Sequence, residues 1–325
     1  MHCELLVPGL FSAGAQARLP ALEMLLARGR SQAAPSQRLE GWLQQAFDLE
    51  GQPLAAGALT LLGSGGDPGA ARWARADPVH LRLMRDRLIL VPAAALEISR
   101  QEAEALCAAL SAHFAGALAF RAVDPRRWCV RLEKELALGE VAPLEMAGRE
   151  VLLAGAGDAL LNEVQMLLHA HPVNEARETR GEPPLNSLWL WGAGRVPREA
   201  RCRWHSISSD DPLALGLARL AGARHRGLPA SAGAWLDRAP EEGRHLVILD
   251  ALRAPLALSQ EAEYRAGVET LERGWFAPLL GALREGRVGM VTLQVPDAAA
   301  GASFETIRGD LRRFWRRPKA LERYA

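Results

Sequence analysis

The sequence predicts an α/β fold, a mostly parallel sheet with helices on both faces, accompanied by a smaller α+β unit. Three stretches carry that prediction. Arg244-His-Leu-Val-Ile-Leu-Asp250 is a nearly continuous apolar run, the pattern of a strand buried on both faces of a parallel sheet. From His171 to Gly194 the chain reads as a helix exit, a Gly-Glu-Pro-Pro break at 181–184, an apolar strand from Leu188 to Trp191, and a glycine turn at Gly192 and Gly194. That succession is how a chain leaves one layer and re-enters a sheet. Residues 88–168 read as a compact β-α-β-β…α unit.

Taken in order, Glu4-Leu-Leu-Val-Pro-Gly-Leu-Phe11 is a first strand running into a Pro8-Gly9 turn. In an open α/β sheet, ligands bind at such carboxyl ends of strands. A helix follows from Leu19 to a glycine stop at Gly29, with Leu22, Leu25 and Leu26 on its apolar side. Gln37–Phe47 has amphipathic spacing through Leu39, Trp42, Leu43 and Phe47. The Gly63–Gly69 stretch reads as a surface loop, because no Gly-Lys-Ser/Thr follows it to cradle a phosphate.

Asp77 beside Pro78 has two readings, a helix N-cap or a functional carboxylate. Leu88–Val91 is a strand, and Ser99-Arg-Gln-Glu102 is a capping box opening a helix with Ala103, Leu106, Leu110 and Phe114 on one face. Leu118–Val123 and Trp128–Leu132 are strands joined across Asp124–Arg127. Asp158 caps a further helix through Leu161, Val164 and Leu168. A strand is expected at Arg203–Ser208 and a helix from Asp211-Pro212 through Leu220. A long helix runs from about Gln260 to Arg284, with Tyr264, Val268, Leu271, Trp275 and Leu279 along its seam. Gly289–Val295 is a strand. The spacing of Phe304, Ile307, Leu311 and Phe314 predicts a last helix from about Ser303 to Trp315.

Composition narrows the function classes. A hydrophobic fraction of 49% and a charged fraction of 24% are ordinary for a soluble globular chain, and 325 residues suffice for two domains. A net charge of +1 argues against broad attraction to nucleic acid or membrane. Cys3, Cys107, Cys129 and Cys202 lie scattered without Cys-x-x-Cys spacing, which suits reduced thiols of a cytoplasmic protein. No run approaches the ~18 apolar residues of a membrane span. The basic segment Arg312-Arg-Phe-Trp-Arg-Arg-Pro-Lys319 reads either as a terminal helix burying Phe314 and Trp315 or as a site for an acidic protein partner.

Four polar groups near the second strand entrance, His171, Asn174, Arg177 and Asn186, need partners. In the spacing His-Pro-x-Asn-x-x-Arg, followed by Asn186 and Gly192-Ala-Gly194, this stretch resembles the signature of archaeal-type cofactor-independent phosphoglycerate mutases of the alkaline-phosphatase superfamily. Trp191 stands where that family has an arginine. The resemblance implies an alkaline-phosphatase-like sheet split by an inserted α+β domain, with expected boundaries 1–85, 86–176 and 177–325.

It also implies a two-metal, phosphoserine site, against which this chain departs in several places. The family's first strand ends in Asp-Gly where this chain has Pro8-Gly9. In the resembling Gly-Ser-Asp-x-x-His-Leu pattern Asp77, His80 and Leu81 fit, but Ala76 occupies the position of the nucleophile, and a methyl group cannot attack phosphorus. Asp250 fits a ligand position, while the histidines expected after it are missing.

Ser206, Ser208 and Ser209 are remote substitutes for the lost hydroxyl. Arg126 and Arg127 fall near the family's phosphate-contacting arginine, and read equally as solvated turn arginines. The resemblance therefore suggests a degenerate, proteobacterial-type branch, a ligand-binding or regulatory pseudoenzyme of the bacterial cytoplasm without a metal cofactor. Its expected ligand is a small phosphorylated or carboxylate molecule, held by some of Asp77, His80, Arg126, Arg127, Asn174, Arg177, Asn186 and Asp250. The alternative is an active mutase with a rearranged site, using Mn or Mg.

Overall fold

The computed structural model describes residues 1–11, 17–85, 87–151, 158–238 and 242–324. Among the described residues the strands are β1 (His2–Leu6), β2 (Arg30–Ala34), β3 (Arg72–Met84), β4 (Arg87–Pro92), β5 (Leu118–Asp124), β6 (Arg127–Leu132), β7 (Ser187–Gly194), β8 (Ser206–Ser208), β9 (Arg224–Arg226), β10 (Arg244–Ile248), β11 (Met290–Val295) and β12 (Gly301–Ile307). The helices are α1 (Pro20–Arg28), α2 (Leu39–Ala46), α3 (Ala56–Gly63), α4 (Arg100–His113), α5 (Asp158–His169), α6 (Pro172–Thr179), α7 (Pro212–Leu220), α8 (Ala232–Leu236), α9 (Arg253–Ala257), α10 (Glu261–Leu271) and α11 (Ala277–Glu285).

The chain divides into two compact units. The first holds residues 1–50, 200–211 and 218–325, and the second holds 51–199 and 212–217. The first is built on a sheet ordered β2-β12-β11-β1-β10-β8-β9, with β1 parallel to β10 and β11, and β8 parallel to β10 and β9. Only β12 runs against its neighbours. Alternation along β1 sends Cys3, Leu5 and Val7 into one core with α1, α10 and α11, and sends Glu4 and Leu6 to the opposite face. Between α10 and α11 the chain widens into a π turn at Glu272–Phe276, so the expected long helix is one rod with an internal bulge.

The second unit is an antiparallel sheet centred on β3, whose edges pair with β7 on one side and with β6 and β4 on the other. Here the structure departs from the expected boundaries. Residues 72–84 belong with the inserted sheet and not with the first unit, because β3 supplies the ladder for three other strands. The same pairing overturns the N-cap reading of Asp77, which lies mid-strand opposite Trp189. Pro78 is tolerated there because β6 stops at Arg75 and β4 begins at Val79, so no neighbour on that edge seeks its missing N–H.

The capping box at Ser99 forms as expected, with Glu102 bonding back to the Ser99 backbone. The 118–132 strands form a hairpin. α5 begins at Asp158, whose side chain lies outside the described residues. Gly192 and Gly194 are not a turn but the end of β7, where a Cβ would lie 2.5 Å and 2.7 Å from the Cβ atoms of Ala56 and Ala55 at the start of α3. Glycine is what lets that helix touch the strand. The expected last helix is β12 followed by a 3-10 turn at Arg308–Arg312.

Candidate functional site

At the tip of β1, Pro8 is buried and Gly9 adopts φ +77°. The carbonyl oxygens of Gly9 and Leu10 share the Tyr264 hydroxyl at 2.9 and 2.8 Å, and a Cβ on Gly9 would meet Leu256 at 3.0 Å. Asp250 lies two residues past β10, half-buried. The neighbouring tip of β11 ends in Asp297, whose carboxylate accepts the Ala299 N–H at 2.7 Å and so closes its own turn. In β8 and just past it the serines are internal. Ser206 Oγ lies 2.8 Å from His245 Nδ1, Ser209 Oγ accepts the Asp211 N–H, and the Ser208 hydroxyl is fully buried without a partner among the described residues. Because His245 Nε2 faces the Glu242 carbonyl, its proton sits there and Nδ1 accepts from Ser206. Among the described residues, none of these serine hydroxyls is both exposed and activated.

The other residues singled out from sequence lie in the second unit, where most are tied to backbone. Asn174 donates to the carbonyls of Leu168 and Leu185 and accepts the Leu185 N–H. Arg177, 0% exposed, donates to the carbonyls of Pro183 and Glu97 and to Glu102. Asn186 takes the place of a strand partner, accepting the Leu81 N–H at 2.7 Å and donating to the Leu81 carbonyl at 3.0 Å. His80 Nδ1 donates to the Pro184 carbonyl. His171 is the N-cap of α6, its Nδ1 accepting the Val173 N–H, with Pro172 at the first turn, and the helix exit before the 181–184 break is the end of α6 at Thr179. The polar set thus fastens α6 to the break before β7.

Glu102 and Arg180 complete that clamp. Burial pushes the Glu102 carboxyl up, but hydrogen bonds from the Ser99 backbone and hydroxyl and from Arg180 more than offset it, so its pKa falls. In the hairpin turn, Asp124 accepts both the Arg126 and Arg127 N–H groups and pairs with the Arg127 guanidinium at 2.8 Å, while Arg126 is exposed.

Asp77 is enclosed. One oxygen accepts from Arg75 at 2.6 Å and the other from Trp191 Nε1 at 2.8 Å, with the Arg75 guanidinium 5.4 Å from the Trp191 ring. All three side chains are buried. The Trp191 indole therefore caps a carboxylate that a guanidinium of the same sheet already neutralises. Asp250 belongs to the first unit and the rest of the set to the second.

A polar cluster that sequence reasoning missed lies on the open face of the first unit's sheet. Glu4, in the central strand and 1% exposed, accepts from Arg203 at 2.6 Å, Trp204 Nε1 at 2.8 Å and Gln294 at 3.0 Å. Trp204 packs on Trp42 of α2 at 5.7 Å between ring centroids. A cavity of about 560 Å³ opens beside this cluster, lined by Arg201, Arg203, Gln37, Gln45, Gln294 and Trp42 among others. Its one signal in the sequence is an acid inside the apolar run Cys3–Val7. Of the two readings of the tail, the terminal helix burying Phe314 and Trp315 does not form. Phe314 and Trp315 are 78% and 65% exposed, while Arg313 and Arg316 are tied to the carbonyls of Arg28 and Gly29.

The fold is shared with PH0037 protein of Pyrococcus horikoshii, at TM-score 0.57 and 15% identity over 94% of this chain and 87% of that one. A cofactor-independent phosphoglycerate mutase of Thermoplasma acidophilum aligns over 95% of this chain and 90% of its own, at TM-score 0.47 and 20% identity. The class is thus an α/β sheet protein carrying a separate antiparallel sheet.

Sequence similarity narrows it. The chain is 46% identical over 41 residues to a probable 2,3-bisphosphoglycerate-independent phosphoglycerate mutase of Geobacter sulfurreducens, 13% of this chain and 10% of that protein. It is 35% identical over 81 residues to the 2,3-bisphosphoglycerate-independent phosphoglycerate mutase of Methanothrix thermoacetophila, and 31% identical over 99 residues to that of Methanosarcina acetivorans. These matches span 23% and 29% of this chain but only 20% and 24% of the relatives. No family model matches. The chain is phosphoglycerate mutase-like.

Proposed function

We propose that this phosphoglycerate mutase-like protein has lost metal-dependent phosphoryl transfer and acts in the cytoplasm as a ligand-binding or regulatory pseudoenzyme. Its weight rests on the β1 tip, where Pro8 offers no side-chain oxygen and where a Cβ on the next residue, Gly9, would meet the Leu256 side chain at 3.0 Å. A two-metal centre needs several oxygen or nitrogen ligands around each ion. Among the described residues no three His, Cys, Asp or Glu side chains are grouped to hold one. The described residues at the strand tips thus offer too few grouped ligands for a pair of ions, which supports this reading.

Ala76, in the position that resembles the family's nucleophile, is buried in β3 and has no leaving proton or lone pair to offer. Among the described residues no helix is long and apolar enough to cross a membrane. The exposed Phe314 and Trp315, set among arginines, suit contact with an acidic protein partner.

Purified protein incubated with 3-phosphoglycerate and Mn²⁺, with coupled detection of 2-phosphoglycerate, is expected to give no turnover above a protein-free blank. Turnover that disappears with chelator would overturn the proposal in favour of an active mutase with a rearranged site.

A further inference from the structure

We infer that the cavity beside Glu4 in the first unit is a binding site for a small polar molecule carrying one carboxylate or phosphate group, with Arg203 as its main contact. The inference does not rest on the pseudoenzyme reading, since neither Pro8 nor Asp250 lines the cavity.

Glu4 is the starting observation. β1 is the middle strand of its sheet, and the residues beside it in sequence are apolar and buried. A carboxylate in that position is costly to desolvate and is kept only if fully bonded. It is, by three donors from two separate segments: the adjacent Arg203 and Trp204, and Gln294. Two of those donors, Arg203 and Gln294, line the cavity, so the buried acid fixes the orientation of groups on the cavity wall.

Arg203 is the asymmetric member of the cluster. Its partner is buried, but its own side chain is 51% exposed and stacks over Trp204 with its guanidinium carbon 5.0 Å from the ring centroid. Only one of its terminal nitrogens bonds Glu4. The planar fork is thus held rigid from behind while facing the opening, the posture that suits an incoming carboxylate or phosphate oxygen.

The remaining lining limits the ligand. Arg201 adds a second guanidinium. Gln37 Nε2 donates to Gln45 Oε1 and Gln294 Nε2 to Glu4, so hydroxyl groups of a ligand would be met by Gln45 Nε2 and the side-chain carbonyl oxygens of Gln37 and Gln294. Asp48 on the same lining favours a ligand that also bears a hydrogen-bond donor. A volume of about 560 Å³ falls within the range of small-molecule sites.

Cys202, on the same lining, provides a readout independent of substitution, because Cys3, Cys107 and Cys129 are all buried. The full-length protein is titrated calorimetrically at low ionic strength with inorganic phosphate and, separately, with glycolate, which separates the two oxyanions. Peptide mapping follows the rate of Cys202 alkylation by the neutral reagent N-ethylmaleimide with and without each anion.

Saturable binding of at least one anion is expected, weakened about tenfold or more in Arg203→Met and unchanged in Arg265→Met, a control on the exposed face of α10. Cys202 alkylation should slow as that anion saturates. Equal affinity in wild type and Arg203→Met, or alkylation that neither anion slows, would overturn the assignment. Should Arg203→Met fail to fold, the protection of Cys202 in the wild-type chain decides by itself.

Discussion

Each unit buries a carboxylate in the middle of its sheet, and the two are handled differently. Asp77 sits on β3 between Arg75 and Trp191, and all three side chains are shut away from solvent. Glu4 sits on β1, equally buried, but its cationic partner Arg203 is half in the open and borders a cavity. A closed pair can only hold the fold together, since every group that might recognise a ligand is already satisfied and desolvated. An open pair keeps one member available. What separates architecture from recognition here is therefore the exposure of the partner and not the burial of the acid.

The largest effect is expected for Asp77→Asn. It leaves the Arg75 guanidinium buried with its charge uncompensated, a loss of about 3–5 kcal/mol in urea-unfolding free energy. Glu4→Gln should cost less, about 1–2 kcal/mol, because water can solvate Arg203 once the charge behind it is gone. Denaturation curves of the two variants, collected side by side, test the comparison directly, and losses of equal size would break it.

The smallest effect is a pH dependence in the first unit. His245 is buried beside Ser206 and Trp235, and burial pushes its pKa below the ordinary 6.5. The unfolded chain then takes up a proton before the folded one does. Stability from this group is complete above about pH 6.5 and declines as pH falls below it, down to the lowered folded value. Melting temperatures between about pH 7.5 and 5.5 should slope downward in the wild type and less steeply in His245→Asn. Parallel slopes would show that this closed pair contributes nothing to the pH response.

Much of the secondary structure was legible because local chemistry agreed with tertiary demand. The apolar run ending in Asp250, the Ser99–Glu102 box, the 118–132 hairpin and the Tyr264–Leu279 seam each formed where the sequence pointed. The failures came where one pattern satisfied two periods. Phe304 and Ile307 have helical spacing, yet the segment pairs with β11 and β2, and those ladders decide for a strand. Asp77-Pro78 looks like a helix start, and only the gap between β6 and β4 admits a proline within β3. The candidate site was less legible still. Asn174, Arg177 and Asn186 stood out as polar residues near a strand entrance, but sequence could not tell a ligand contact from a tether to Leu185, Pro183 or Leu81.

The sequence by itself determined the class of fold, the position of its buried strands, the phosphoglycerate mutase-like stretch, and the presence at Pro8 and Ala76 of side chains with no oxygen to offer. Those are properties of residue type and short-range periodicity, which need no knowledge of what lies across the sheet. Only the tertiary structure decided which charges are spent and which remain at a surface. Arg203 comes 199 residues after Glu4, and Gln294 comes 290 after it. Whether a buried acid faces a sealed partner or an open one depends on contacts between segments that far apart, and no local pattern encodes them.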